Sequence, residues 1–306
     1  MLILITPTLI ILFLLLGILL FFRRSLLAGA IFLFASVLLN QYTQTFPLHP
    51  SYFFHSSSRE HNQIRLLSYN IKYDSDYLRR NTDSLSAMIA FFEQQNADIL
   101  ILPESRINST NKSLRQKLEK IYPYHLDTGY SGNEYYVETY VFSRFPIHNV
   151  RQYGRHYIYE LDIDINDNCT VKLLACHLES NQSHSSLRKG EGIISNIRKG
   201  YETRAKEAHI ITDSLKDYRG PLIIAGDLND ISGSKTLNIL QETLHLDDAW
   251  WKSGFGYGTT SFSKMLYLRL DHILFSSHFQ SMNVIIPKVD FSDHYPIVTD
   301  LMIQQE

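Results

Sequence analysis

The sequence predicts an α/β (α+β) protein: a layered sandwich of mixed β-sheets with helices, preceded by an N-terminal transmembrane helical hairpin. Three observations predict it. Residues 2–22 carry no charge, and a second apolar run follows a lone Arg23-Arg24 pair. From Ile64 onward, short β-rich runs alternate with helical patterns. Several neighbouring strands are joined by turns short enough for hairpins, which an all-parallel sheet does not allow.

Twenty-one residues at about 1.5 Å each give roughly 30 Å, the thickness of a hydrocarbon core. The second run, residues 25–40, is shorter, and its uncharged flank extends it through Tyr42. Residues 1–42 therefore read as two transmembrane helices. A cleaved signal peptide fits poorly, because its basic residues belong before the apolar stretch. The positive-inside rule places Arg23-Arg24 in the cytoplasm and the bulk of the chain outside. That leaves both termini and the large domain on the extracytoplasmic side of the membrane. Residues 43–63, with Pro47, Pro50 and the serines at 56–58, read as a tether. Residues 64–306 form the remaining domain.

Within that domain the expected strands are 64–71, 97–105, 135–146, 157–165, 171–180, 221–230, 268–276 and 295–303. Leu85, Met88, Ile89 and Phe92 recur at helical spacing after the first strand, with Asn81 or Thr82 as cap. Residues 203–218 and 234–244 read as further helices, and Gly220-Pro221 stop the first of these. Asn166-Asp167-Asn168 marks a hairpin turn. Residues 181–200 read as a polar excursion beside His177. Gly254, Gly256 and Gly258 mark a loop flanking the cleft and not a phosphate cradle, since no helix signal follows them.

Composition narrows the functional classes. Residues 1–58 hold no Asp or Glu, and removing Arg23 and Arg24 from the 29 Lys and Arg leaves 27 against 31 acidic residues. A mildly acidic domain lowers the expectation of duplex nucleic acid, which favours basic surfaces. A local basic patch (Arg188, Lys189, Arg198, Lys199, Arg204, Lys206) is the exception. The two cysteines, Cys169 and Cys176, match no zinc spacing or disulfide framework and read as buried thiols.

The chemistry lies where apolar runs stop: Asn70, Glu104, Arg144, His177, Asp227 with Asn229, Asp271, and Asp293-His294. A sheet whose strand tips share one edge brings these together. Mostly oxygen donors suit Mg²⁺, with Mn²⁺ or Ca²⁺ as alternatives, over zinc. Imidazoles beside carboxylates suit proton transfer near neutral pH, and amide and guanidinium donors suit developing phosphoryl charge. The combination points to metal-assisted attack of water on a phosphate ester.

Seven motifs, LLSYNI, LPES, SRFP, CHLES, AGDLND, RLDHILFS and SDHYPIV, stand in this order over about residues 64–303. In them the chain resembles the endonuclease/exonuclease/phosphatase superfamily. KGYETRAKEA and GFGYGTTSF are similar to a membrane-anchored bacterial branch with N-terminal hydrophobic helices. The resemblance implies a four-layered sandwich of two packed mixed sheets flanked by helices. It implies that Asn70 and Glu104 hold the divalent cation with a contribution from Asp293. His294 would be the general base and Asp271 the carboxylate orienting it. Asp227 and Asn229 would position the nucleophile and a phosphoryl oxygen, and His177 would donate to the phosphate or leaving oxygen. Tyr140 and Arg144 would be phosphate contacts.

Three positions depart from the family pattern: Pro103 precedes Glu104 where an amide is usual, Lys72 replaces an acidic residue of abasic-site endonucleases, and His272 replaces a tyrosine. Lys72 argues against abasic-site repair. His156, His184 and His272 read as surface or hydrogen-bonded histidines outside the site. Expected partners are a phosphoester substrate (lipid headgroup, nucleotide or nucleic acid) and a lipid bilayer through residues 1–42; no protein partner is inferable. A non-catalytic phosphate- or lipid-binding scaffold is the alternative, disfavoured because such proteins usually lose the base or metal carboxylate.

Overall fold

The computed structural model describes residues 5–53, 62–72, 82–105, 112–126, 138–153, 158–180, 193–262 and 267–304. The chain begins with helices α1 (Thr6–Phe22) and α2 (Leu26–Thr43), which fold back on each other. Their closest approach uses small residues: a Cβ at Gly17 would crowd Leu33, and one at Gly29 would crowd the Gly17 carbonyl and the Phe21 backbone. Ser36 donates to the Ile10 carbonyl at 2.9 Å, tying the helices together. The outward side chains are apolar nearly throughout, including Leu15, Leu19, Phe22, Leu27, Ile31 and Phe34.

Fourteen strands follow among the described residues, in two six-stranded sheets and a short hairpin. The first sheet contains β1 (Gln63–Ser68), β2 (Ile99–Ser105), β3 (Tyr124–His125), β4 (Glu138–Ser143), β13 (Phe279–Ile285) and β14 (Ile297–Ile303), in the order β13-β14-β1-β2-β4-β3. The second contains β5 (Ile147–Tyr153), β6 (Ile158–Asn166), β7 (Cys169–His177), β8 (Leu222–Asp227), β9 (Asp247–Asp248) and β12 (Asp271–Phe275), in the order β5-β6-β7-β8-β12-β9. Strands β10 (Ser261–Phe262) and β11 (Tyr267–Leu268) form the hairpin. Each sheet has one parallel pair, β1/β2 and β7/β8, and antiparallel neighbours elsewhere. Parallel neighbours need a crossover. Helices α3 (Thr82–Gln95) and α5 (Ile193–Leu215) supply the two.

Strand alternation sorts the side chains into layers. Leu66, Ile101, Val141, Leu173, Ala225 and Ile273 face between the sheets. Leu67, Leu100 and Phe142 face outward onto Met88 and Phe92 of α3 and Leu114 and Leu118 of α4 (Lys112–Ile121). Leu174, Cys176 and Ile224 face Ala208, Ile211 and Leu215 of α5 and Leu237 and Leu240 of α6 (Lys235–Leu244). The result is the four-layered arrangement, helices–sheet–sheet–helices. Because β8 is covered on both faces, LIIAGD is buried throughout, which is why it is almost continuously apolar.

Several expectations are corrected. Helix α5 begins ten residues before 203, inside the stretch read as a polar excursion; residues 181–192 lie outside the described residues. Strands β5 and β13 and helix α4 had no clear apolar signature, since their outer faces are polar; in β5 the run Asn149–Gln152 is exposed. Residues 43–53 are not a free tether. Asn40 brackets the exit from α2 by hydrogen bonds in both directions with the Phe46 backbone, at 2.8 and 3.0 Å. His49 N–H donates to Gly254 O, Gly256 N–H donates to Pro47 O, and Tyr52 packs edge-on against Trp250 of α7 (Ala249–Ser253). The segment is therefore built onto the 250–256 loop. Gly254 and Gly258 pack so tightly on the Trp250 ring that a Cβ at either would overlap it, so this glycine loop is a packed element.

Candidate active site

Strand direction gathers one set of side chains at one rim. β1, β2, β7 and β8 end there, while antiparallel β12 and β14 begin there. In the second sheet the register sets His177 beside Asp227, and Asp227 beside Asp271, on adjacent strands. All three continue the inward-facing series Leu173–Ala175, Ile223–Ala225 and Ile273–Phe275. Gly226, at φ +140, makes this possible: a Cβ there would collide with the Cys176 carbonyl.

Across the gap stand Asn70 and Glu104. Regular alternation would place Glu104 with Leu100 and Leu102, facing α3. Instead Glu104 is left-handed (φ +53), and the β2–β4 register shifts between Leu102 and Ser105. The carboxylate then meets His177 Nε2 at 3.3 Å. Asn70 bridges the sheets, its amide donating to Asp227 Oδ2 at 2.8 Å and Glu104 Oε1 at 3.2 Å. Its Oδ1 accepts the Lys72 N–H at 2.9 Å. The expected metal ligand Asn70 is thus a bridge aligning two carboxylates.

His294 lies at the head of β14. Its Nδ1 is 2.7 Å from Asp271 Oδ2, and its Nε2 faces Asp227 Oδ2 at 3.8 Å. In the neutral imidazole, donation from Nδ1–H to the carboxylate directs the Nε2 lone pair to the cleft. Asn229, also left-handed (φ +50), donates its side-chain amide to Leu178 O and its N–H to Asp227 Oδ1 at 2.9 Å each. It braces the β7–β8 end and Asp227.

Two groups of ligand atoms lie within 4.8 Å of one another: Glu104, His177 and Asp227, and then Asp227, Asp271 and His294. Among the described residues, no Arg or Lys pairs with Glu104, Asp227 or Asp271. The electrostatics reflect this. Burial and the neighbouring Asp271 charge raise Asp227 above the usual carboxylate range. Burial opposes a charged His294, but Asp271 and Asp227 outweigh it and push its pKa up to about 10. His177 is likewise raised, by Glu104 and Asp227 against burial; Glu104 is lowered, because His177 and Asn70 outweigh burial. Burial and Asp271 raising Asp227, together with carboxylates raising both imidazoles against their burial, mark a centre short of positive charge. This donor set fits a hard divalent cation.

Three expected residues stand elsewhere. Asp293 is 39% exposed and its Oδ2 is ion-paired with Lys72 Nζ, outside both ligand groups. Tyr140 is fully buried among the outer-layer side chains, against Phe142. Arg144 lies at the opposite rim: β4 runs antiparallel to β2, so Arg144 meets Asp98, just before β2 begins, at 3.4 Å. The expected basic patch also loses Arg204, which is buried on Asp230 and the Glu179 carbonyl; Arg188 and Lys189 lie outside the described residues. His272 is buried and bonded to Asp248 and the Asp230 carbonyl, outside the site; His156 and His184 lie outside the described residues.

Thr260 was not singled out from the sequence. Its buried Oγ1 accepts the Leu270 and Asp271 N–H groups at 3.0 Å each, and its carbonyl accepts from Tyr295 N–H. One threonine thus clips the backbone of Asp271 to that of the His294 segment. No sequence signal marks it beyond its place in GFGYGTTSF.

The pattern of the Endonuclease/Exonuclease/phosphatase family matches residues 67–294. Similar solved structures include truncated TDP2 of Caenorhabditis elegans (19% identity, TM-score 0.56, covering 78% of this chain and 97% of that one). Endonuclease/exonuclease/phosphatase proteins of Beutenbergia cavernae (18%, 0.56, 79% and 72%) and Bacteroides vulgatus (16%, 0.57, 79% and 99%) share the fold. No curated protein matches the chain.

Proposed function

The chain belongs to the endonuclease/exonuclease/phosphatase family, and we propose that it is a membrane-anchored, divalent-metal-dependent phosphodiesterase. The observation carrying this reading is the rim where Glu104, His177, Asp227, Asp271 and His294 converge from both sheets, with none of the three carboxylates paired to an arginine or lysine among the described residues.

Glu104 and Asp227 are the carboxylates best placed to hold Mg²⁺, with Asn70 aligning both. The cation, when bound, would supply Lewis-acid polarisation of the phosphoryl oxygen and offset the carboxylate charge that otherwise holds the His294 ring protonated, leaving Nε2 able to accept a proton. His294 Nε2 takes a proton from the attacking water as its oxygen bonds to phosphorus, and the ester P–O bond breaks on the opposite side. Asp271 fixes the imidazole tautomer and stabilises the cation it becomes. His177 donates to the phosphate or the departing oxygen. Asn229 keeps Asp227 in place through the backbone bond. Asp293 contributes at the periphery through Lys72.

Anchoring is supported by α1 and α2. Helix α2 is long and apolar enough to cross a membrane, α1 is one residue shorter, and the hairpin's outer surface is apolar with no soluble element over it among the described residues. Arg23-Arg24, at the turn farthest from the sandwich, would face the cytoplasm. The substrate is a lipid headgroup, a nucleotide or a nucleic acid.

The test is hydrolysis of bis(p-nitrophenyl) phosphate by the full chain in nanodiscs, with Mg²⁺, Mn²⁺, Ca²⁺ or chelator. Cation-dependent turnover that disappears in Glu104→Gln is expected. Turnover unaffected by chelator, or retained in Glu104→Gln, would overturn the mechanism.

A further inference from the structure

Direct contacts join the hairpin to the sandwich, and the junction carries an exposed apolar patch. Leu48 bridges to Phe255, and the Phe53 and Phe255 rings meet edge-on with centroids 4.8 Å apart. Leu48 is 68%, Phe53 63% and Phe255 38% exposed, while Tyr42 in the last turn of α2 is exposed as well. Two separate segments thus present one apolar surface immediately beyond the end of α2. Single exposed apolar residues are ordinary; a contiguous cluster is not.

The hairpin indicates the occupant. Thr43, the last residue of α2, packs on Gly233, and Gln44 accepts from Gln241 at 3.2 Å, so α2 meets the sandwich directly. Its apolar outer face and the patch lie within a few residues of each other along the chain. A tyrosine such as Tyr42 at the end of a spanning helix sits at headgroup level, and apolar Leu and Phe beside it bury into the headgroup–acyl boundary.

We propose that Leu48, Phe53 and Phe255 rest in the headgroup–acyl boundary of the bilayer, holding the sandwich against the membrane in one orientation. This rests on the membrane-anchored reading above. The patch is apolar, and its neighbour Lys252 is already paired with Asp247 at 3.0 Å, so a neutral phosphatidylcholine surface suffices. The contact is also close to the chemistry. Five residues after Phe255 the same loop reaches Thr260, which holds the Asp271 backbone. One short segment therefore touches the lipid at one end and the base-orienting strand at the other. A phosphoester presented at headgroup level is the substrate such a seating favours.

The test uses the full chain in phosphatidylcholine nanodiscs, with Cys169→Ser removing the partly accessible thiol and nitroxide labels on single introduced cysteines. Labels go at Phe255→Cys, at Phe53→Cys as an independent second position, at Val37→Cys on the exposed face of α2, and at Asn168→Cys on the opposite rim. Power saturation compares accessibility to oxygen with that to a water-soluble nickel chelate. The proposal expects the labels at 255, 53 and 37 to favour oxygen severalfold over the label at 168. Labels at 255 and 53 that read as aqueous while 37 reads as lipid would overturn the seating and leave the anchor standing. An aqueous reading at 37 would remove the anchor itself. Shielding at 255 and 53 from both reagents, in particles holding two chains, would assign the patch to a second copy and overturn the proposal.

Discussion

The two rims of the same sandwich are both lined with ionisable side chains at strand ends, and their charge is arranged in opposite ways. At one rim Arg65 grips Asp300 with two hydrogen bonds of 2.6 and 2.7 Å, and Arg144 meets Asp98. Both of these carboxylates have a guanidinium. At the other rim Glu104, Asp227 and Asp271 face only amides and imidazoles, among the described residues. Matched pairs hold strand ends together; unmatched buried carboxylates demand a cation from outside. The sign of the mismatch, more than the presence of charge, separates a site from a staple.

The strongest way to break this comparison is to truncate one residue at each rim. His294→Ala should lower turnover about 10²- to 10⁴-fold, the usual scale of a general base, with thermal melting nearly unchanged. Arg144→Ala should leave turnover at the wild-type value; a comparable loss in steady-state assays would return Arg144 to the catalytic set.

Next in size is stability at the matched rim. Arg65→Ala leaves Asp300 largely buried without its partner, and a loss of about 3 kcal/mol is expected from urea titration, with turnover per folded molecule preserved. Mg²⁺ supplies the reciprocal measurement. At a hundred times its Kd it should stabilise the wild type by about 2.7 kcal/mol, and it should do little for Asp227→Asn. Equal stabilisation of both proteins would place the ion elsewhere.

A smaller effect is expected at Thr260. Thr260→Val strands two backbone donors, costing about 1–3 kcal/mol. It should reduce kcat while leaving KM nearly unchanged, and Thr260→Ser should restore it. A loss confined to stability would make Thr260 merely structural.

The mildest probe is pH. In metal-free protein, His294 has a folded pKa raised from 6.5 to about 10. The stability it contributes is complete below pH 6.5 and is lost as pH rises through about 10. Denaturation midpoints should therefore decline between pH 7 and 10, and His294→Gln should flatten that decline. An unchanged slope in the variant would show that other groups carry it.

Much of this was legible in the amino-acid order. The uncharged hairpin, the alternation that sorts Leu66 from Leu67, and polar residues closing apolar runs are all local patterns. Local patterns survive without knowledge of partners. Asn70, Glu104, His177, Asp227, Asp271 and His294 were found because each interrupts such a run. Arg144 interrupts one too, and that signal could not say at which end of the sheet it falls.

The sequence by itself determined the two apolar helices, the sandwich class and the inventory of groups that reach strand ends. Tertiary structure alone decided which end: antiparallel pairing of β4 with β2 carries Arg144 to Asp98, while parallel pairing of β7 with β8 carries His177 to Asp227. It also decided that Glu104 turns inward through a left-handed backbone, that Asn70 spends its amide on two carboxylates, and that residues 43–53 dock. The physical reason is that side-chain period depends on neighbours one or two residues away. Register, strand direction and loop docking depend on contacts between segments tens to hundreds of residues apart.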